Sequence, residues 1–174
     1  DLDKYKLIVI DGIYSMEGDI APLPQMCDLC DKYNASIMVD DAHSLGVLGR
    51  NGRGTADHFG VTDDVDLLMG TFSKSLATIG GFVAGDKEVI NYIRHNSRSY
   101  MFSASNTPAA TAAALEALHI IQEEPERLEN LWNMTNYTLK SFREIGFEIG
   151  NTSTPIIPIY IRDTDKTFLV TKLL

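Results

Sequence analysis

The sequence has no run of basic residues, and its 15 lysines and arginines are outnumbered by 24 aspartates and glutamates, a formal charge of −9 over 174 residues. A chain this acidic offers no patch to a phosphate backbone or an anionic membrane, so nucleic acid is set aside as a partner. No apolar run approaches the length of a membrane span and no signal-like stretch opens the sequence, which makes a cytoplasmic protein the expectation. Low-complexity tracts and internal repeats are absent. A content of 44% hydrophobic and 22% charged residues is that of a folded chain with a core, not of a disordered segment.

Cysteine is scarce as well. The two present, Cys27 and Cys30, are spaced C-x-x-C, but no second Cys or His pair completes a zinc set, and no metal site is expected. In PLPQMCDLCDKY the residues Leu23, Met26, Cys27, Cys30 and Tyr33 recur at helical spacing, which puts both thiols on the buried stripe of one helix. His58, His95 and His119 have no motif around them and are read as surface or packing residues.

The segments that are present alternate strand and helix. Lys6 to Asp11 (KLIVID) is a compact apolar strand; the turn-rich GIYSMEGDIAPLP, with Glu17 and Asp19 shaping the loop, leads to the Cys27 helix, closed by Asn34. Ser36 to Asp40 is apolar without polar alternation, as in a parallel strand covered on both faces, so strand, helix and strand form a right-handed βαβ unit. From Ala42 to Gly60 the chain is loop-like, with glycines at 46, 49, 52, 54 and 60; Thr55 and these glycines hold the loop, and Arg50 and Arg53 face solvent or a subunit contact. Asp86 caps an amphipathic helix, and Ser97 to Ser105 is irregular or extended. Pro108 starts an alanine-rich helix whose small side chains imply close packing. A helix opened by Pro125 ends at Gly146, Thr154 to Ile161 is expected to be an edge strand because of its two prolines, and a last helix begins at Asp165.

The stretch Asp66 to Gly85, DLLMGTFSKSLATIGGFVAG, organises the rest. It places Lys74 in a turn of small and hydroxylic residues between two apolar runs, with no carboxylate nearby in sequence, which is an unusual place for a lysine and predicts a desolvated one. Its partner segment, Met38-Val39-Asp40-Asp41-Ala42-His43, is a strand ending in a carboxylate pair and a histidine. Lysine, aspartate and histidine at strand ends are the set that pyridoxal phosphate chemistry needs: an amine for the Schiff base and a carboxylate for the pyridinium nitrogen. Asp41, one residue on, faces the other side of the strand and is assigned to structure.

Three ordered segments, DGIYSMEGDIAPL, VDDAHSLGVLGRNGRG and GTFSKSLATIGGF, resemble the α-oxoamine synthases, pyridoxal-phosphate enzymes of fold type I that condense an amino acid with an acyl-CoA and release carbon dioxide. The resemblance implies an α/β fold: part of the large PLP-binding domain, with a mostly parallel sheet and flanking helices, over residues 1–145, and the start of the C-terminal α+β domain over 146–174. It implies that Lys74 is the Schiff-base lysine, Asp40 the carboxylate at the ring nitrogen, and His43 a contact of the cofactor's phenolic oxygen that helps polarise the thioester. Ser15 lies near the same oxygen in this reading, and Thr71 and Ser73 bind phosphate. The AHS, TFSKS and FSAS segments look most like the branch using L-serine and a long-chain acyl-CoA; alanine with a pimeloyl thioester, or glycine with an acetyl donor, are the alternatives, and a purely dimer-building subunit is another. Ala104 stands where several relatives carry a polar residue reaching the neighbouring subunit's phosphate. A homodimer is implied. The chain is expected to be a piece of something longer, exposing an apolar sheet edge and helix face.

Overall fold

Three strands of like composition share one sheet because each ends its apolar run at the same level. The structure, a computed structural model, describes residues 4–174. Strands β1 (Leu7–Asp11), β2 (Ser36–Asp40) and β3 (Leu67–Thr71) are parallel, β4 (Gly81–Gly85) runs antiparallel to β3, and the order is β1-β2-β3-β4. The mixed, mostly parallel sheet with flanking helices is the α/β architecture expected. The register pairs Asp11 with Asp40 and Asp40 with Met69, so β1 and β2 end together and β3 runs two residues further, to Thr71.

Alternation along the strands divides the sheet into two faces. Ile8, Ile10, Ile37 and Val39 pack with Leu23, Cys27 and Cys30 of α1 (Leu23–Tyr33), which forms the core. The opposite face carries Leu7 and Val9, 46% and 59% exposed, and leads to Asp11 and Asp40. Helix α1 ends as read, with Asn34 in the left-handed conformation, and both cysteines are buried and free. Burial, with Asp64 nearby, pushes the Cys27 thiol up to about 11, so it is an inert packing group. Tyr33 departs from the expected stripe: in the last turn it is exposed, with the Lys32 ammonium over its ring.

By contact density the chain separates into two units, Asp1–Ile13 with Ala21–Leu128, and Tyr14–Ile20 with Glu129–Leu174. The first holds the sheet, α1, the short α2 (Thr55–Phe59), α3 (Lys87–Asn96), α4 (Arg98–Met101) and α5 (Pro108–Glu123). Helix α4 falls where an irregular piece was expected; the Ser97 hydroxyl accepts the Tyr100 N–H at 3.3 Å and caps it. Helix α5 begins at Pro108 as expected but is not closely packed. Only Ala114 is buried on it, and Leu115 is 53% exposed.

The second unit holds most of α6 (Glu126–Glu144) and α7 (Thr164–Leu173), the latter capped by the Asp163 carboxylate at the Lys166 N–H. The expected strand at Thr154 to Ile161 is absent; the segment has no ladder. Pro155 and Pro158 have no N–H to give, and buried hydroxyls take the place of strand pairing: Thr152 Oγ1 donates to Ile156 O at 2.7 Å and Thr154 Oγ1 to Gly18 O at 2.8 Å. Tyr160 N–H reaches Glu148 O at 2.8 Å.

Candidate active site

The parallel ladder delivers Asp40 to the end of β2, and the chain keeps pairing beyond it: Gly12 N–H donates to Asp40 O and Asp41 N–H to Met69 O, both at 2.8 Å. Asp40 is half-buried on the open face of the sheet, its Oδ1 accepting the Ala42 N–H at 2.9 Å. Asp11, which the sequence reading passed over, is its in-register neighbour on that face. The available signal was the shared pattern of two apolar strands, KLIVID and IMVD, each closing on an aspartate.

His43 follows in the turn after β2, half-buried, and burial together with the nearby Lys74 ammonium lowers its pKa below the ordinary value of 6.5, while Asp11 and Asp40 pull the other way. Lys74, Asp11 and Asp40 thus each lie within electrostatic reach of His43. The imidazole is therefore mostly neutral near pH 7, able to give one N–H hydrogen bond without competing with the lysine for positive charge.

Lys74 itself is exposed, not desolvated as expected. Its turn stands beyond the ends of β3 and β4, closed by Phe72 N–H to Gly80 O at 2.9 Å, Thr78 N–H to Phe72 O at 2.8 Å and Ala77 N–H to Lys74 O at 2.9 Å. Ser75 Oγ ties it to Leu45 O at 2.5 Å, bringing the lysine turn to the segment that follows His43. Beside the lysine, Thr71 Oγ1 and Ser73 Oγ lie 2.8 Å apart and the Ser73 N–H points at Thr71 Oγ1 at 3.2 Å. Two hydroxyls and a turn amide next to an ammonium suit the oxygens of a phosphate group. A half-buried carboxylate at a strand end, a neutral imidazole and an exposed amine complete a donor set that fits pyridoxal phosphate.

Ser15 belongs to the other unit, exposed in the Tyr14–Gly18 turn, which is closed by main-chain bonds rather than by the side chains of Glu17 and Asp19. Asp41 is wholly buried, its Oδ2 accepting the Thr55 N–H at 3.0 Å, in line with a structural role. Arg50 and Arg53 are exposed and share Asp57, at 2.8 and 3.9 Å. His58, His95 and His119 are exposed on helices, paired with Phe59, Asn91 O and Glu116 respectively. No group of described residues could hold a metal ion, and no described helix is long and apolar enough to cross a membrane.

The Aminotransferase class I and II family matches residues 1–173. The chain belongs to that family. Within it, a serine palmitoyltransferase of Bacteroides ovatus is 70% identical over 98% of this chain and 43% of its own length, and an 8-amino-7-oxononanoate synthase of Petrotoga mobilis is 51% identical over 94% of this chain and 42% of its own. Among solved structures, serine palmitoyltransferase from S. paucimobilis with a bound PLP–myriocin aldimine superposes with a TM-score of 0.90 at 34% identity, over 95% of this chain and 44% of that one. An 8-amino-7-oxononanoate synthase from Francisella tularensis, at 22% identity and a TM-score of 0.86, shares the fold. The chain thus spans 43% and 42% of the length of these two curated relatives, less than half of either.

Proposed function

We propose that the protein is a pyridoxal-phosphate-dependent acyltransferase of the serine palmitoyltransferase kind, joining L-serine to a long-chain acyl-CoA. The observation that carries the reading is the 70% identity to the Bacteroides ovatus serine palmitoyltransferase across nearly all of this chain, against 51% for the nearest biotin-pathway comparison given above. In the balanced reaction the serine α-carbon loses its carboxyl group as carbon dioxide and bonds to the acyl carbonyl carbon, and coenzyme A leaves as the thiol; the product is 3-oxosphinganine. When bound, pyridoxal phosphate supplies an electron-accepting ring for the pair released at the α-carbon.

The residues divide the remaining work. Asp40, a carboxylate at the strand end, holds a proton at the pyridine nitrogen. Lys74 anchors the cofactor covalently and, once displaced, moves a proton at the α-carbon. His43, mostly neutral because burial and the nearby Lys74 lower its pKa, contacts the phenolic oxygen and directs its one N–H to polarise the thioester carbonyl. Ser15 supports the same oxygen, and Thr71 and Ser73 hold the phosphate without adding charge. Residues 1–145 are read as the later part of a cofactor domain and 146–174 as the start of the following one, in a cytoplasmic homodimer.

The second reading, an 8-amino-7-oxononanoate synthase using alanine and a pimeloyl thioester, rests on the 51% relative. Product analysis with serine or alanine and acyl donors of graded length separates the two. A long-chain 3-oxo base from serine is expected; 8-amino-7-oxononanoate from alanine, with no product from serine, overturns the first reading.

A further inference from the structure

The His43 ring makes no hydrogen bond among the described residues, although it is the group on which the proposed chemistry depends for direction. Its orientation must therefore come from the main chain on either side. Both flanks are anchored in a way the ring is not. Asp41 and Ser44 are wholly buried; Ser44 N–H and Leu45 N–H donate to Asp41 O at 3.0 and 2.9 Å, wrapping the chain around residue 43. Across the loop, wholly buried Thr55 donates its hydroxyl to Ser44 Oγ at 2.7 Å and its N–H to Asp41 Oδ2 at 3.0 Å.

This cluster is wedged against the strand end that carries Asp40. Gly12, whose N–H bonds Asp40 O, has no room for a Cβ: one would lie 2.2 Å from Thr55 Oγ1, 2.3 Å from Asp41 Oδ1 and 2.8 Å from Ser44 Oγ. A loop needing only to be closed could use apolar side chains at lower cost, since a buried carboxyl loses solvation. Here one is kept, and burial pushes its pKa up while hydrogen bonding to Thr55 and Ser44 pulls it down. We propose that Asp41, Ser44 and Thr55 form a positioning cluster that sets the direction of the His43 imidazole over the Asp40 end of the sheet. The inference rests on the reading of His43 given under the proposed function.

Thr55→Val removes the hydroxyl with little change of shape and leaves the Thr55 N–H bond to Asp41 in place; Thr55→Ser restores the hydroxyl. The test uses the protein labelled with 15N in its histidine rings, with His43 assigned by His43→Gln and His95 and His119 as internal references. The expected result is a displaced or broadened His43 ring signal in Thr55→Val, recovery in Thr55→Ser, and unmoved references. In turnover assays kcat should fall about tenfold in Thr55→Val with KM for the amino acid within about twofold, the pattern of a misdirected group rather than of lost binding. Ser44→Ala, cutting the same hydroxyl link from its other end, should repeat the effect. An unchanged His43 signal in both variants overturns the proposal, as does equal disturbance by Thr55→Ser, which would mean packing alone; loss of folding in both Thr55→Val and Ser44→Ala would mean a scaffold role and overturns it too. The ring spectrum does not depend on turnover, so absence of the serine product would refute the assigned activity while leaving this outcome readable.

Discussion

The two segments that carry the proposed chemistry are held in opposite ways. Around Asp40 and His43 the chain is locked: Asp41, Ser44 and Thr55 are wholly buried, and Gly12 and Gly54 leave no space for a side chain. From Thr71 to Gly80 only Leu76 is buried; Lys74 and Ser73 are exposed, and a few turn bonds close the loop. The contrast matches the work each segment would do. A carboxylate and an imidazole that direct protons must stay in place, whereas a lysine that alternates between anchoring a cofactor and moving a proton must be free to swing.

The contrast is broken most completely at the mobile side. Lys74→Ala should abolish turnover and covalent retention of the cofactor, because no other amine stands in the TFSKS turn. Borohydride treatment followed by mass measurement checks this, and a fixed adduct in the variant would refute the assignment. On the rigid side, Asp40→Asn should leave the fold and cofactor retention intact yet cost activity ~10²-fold or more, since an amide cannot hold a proton at the ring nitrogen. Near-normal turnover would move the role to Asp11, its in-register neighbour.

Gly12→Ala tests how tightly the locked segment is packed. The new methyl would meet three buried side-chain oxygens within 2.8 Å, and none of Asp41, Ser44 or Thr55 has solvent to retreat into. Overpacking of this kind costs about 1–3 kcal/mol, readable as a lowered denaturation midpoint at constant m-value. A smaller effect is expected at His43. Its folded-state pKa lies below the ordinary 6.5, so between the two values the unfolded chain binds more protons; stability is full above 6.5 and is lost as pH falls through the folded value. His43→Gln should flatten that decline in denaturant melts taken across the window.

The strands, α1 and the starts of α5 and α7 were legible because their signals are local: apolar runs, helical spacing of Leu23, Cys27 and Cys30, Pro108, and Asp163–Asp165 at a helix start. Asp40, His43, Thr71, Ser73 and Lys74 stand out as motif positions; Asp40 and Thr71 end β2 and β3, and the other three lie in the turns that follow. What escaped depends on partners far away in sequence. Asp11 acquires its meaning from a register with Asp40, and the segment after Thr154 lost its strand to hydroxyls bonding the carbonyl of Gly18. The exposure of Lys74 and of α5 was misread for one reason: composition shows what a residue could pack against, not whether anything lies there.

The smallest expected change lies at a side-chain tie between the locked segment and the lysine turn. Ser75 Oγ donates to Leu45 O at 2.5 Å, joining the residue after the lysine to the turn after His43. The bond is partly exposed, so Ser75→Ala leaves a carbonyl that water can reach, and the loss should be only about 0.5–1.5 kcal/mol. Its value is in the direction of the effect on motion. With the tie cut, hydrogen exchange should quicken for the amides of Ala77 and Thr78, which close the lysine turn, and stay unchanged at Ser44, Leu45 and Thr55, which the buried cluster holds on its own. Faster exchange on both sides would show that the rigid segment leans on the mobile one, and the division of labour between them would fail.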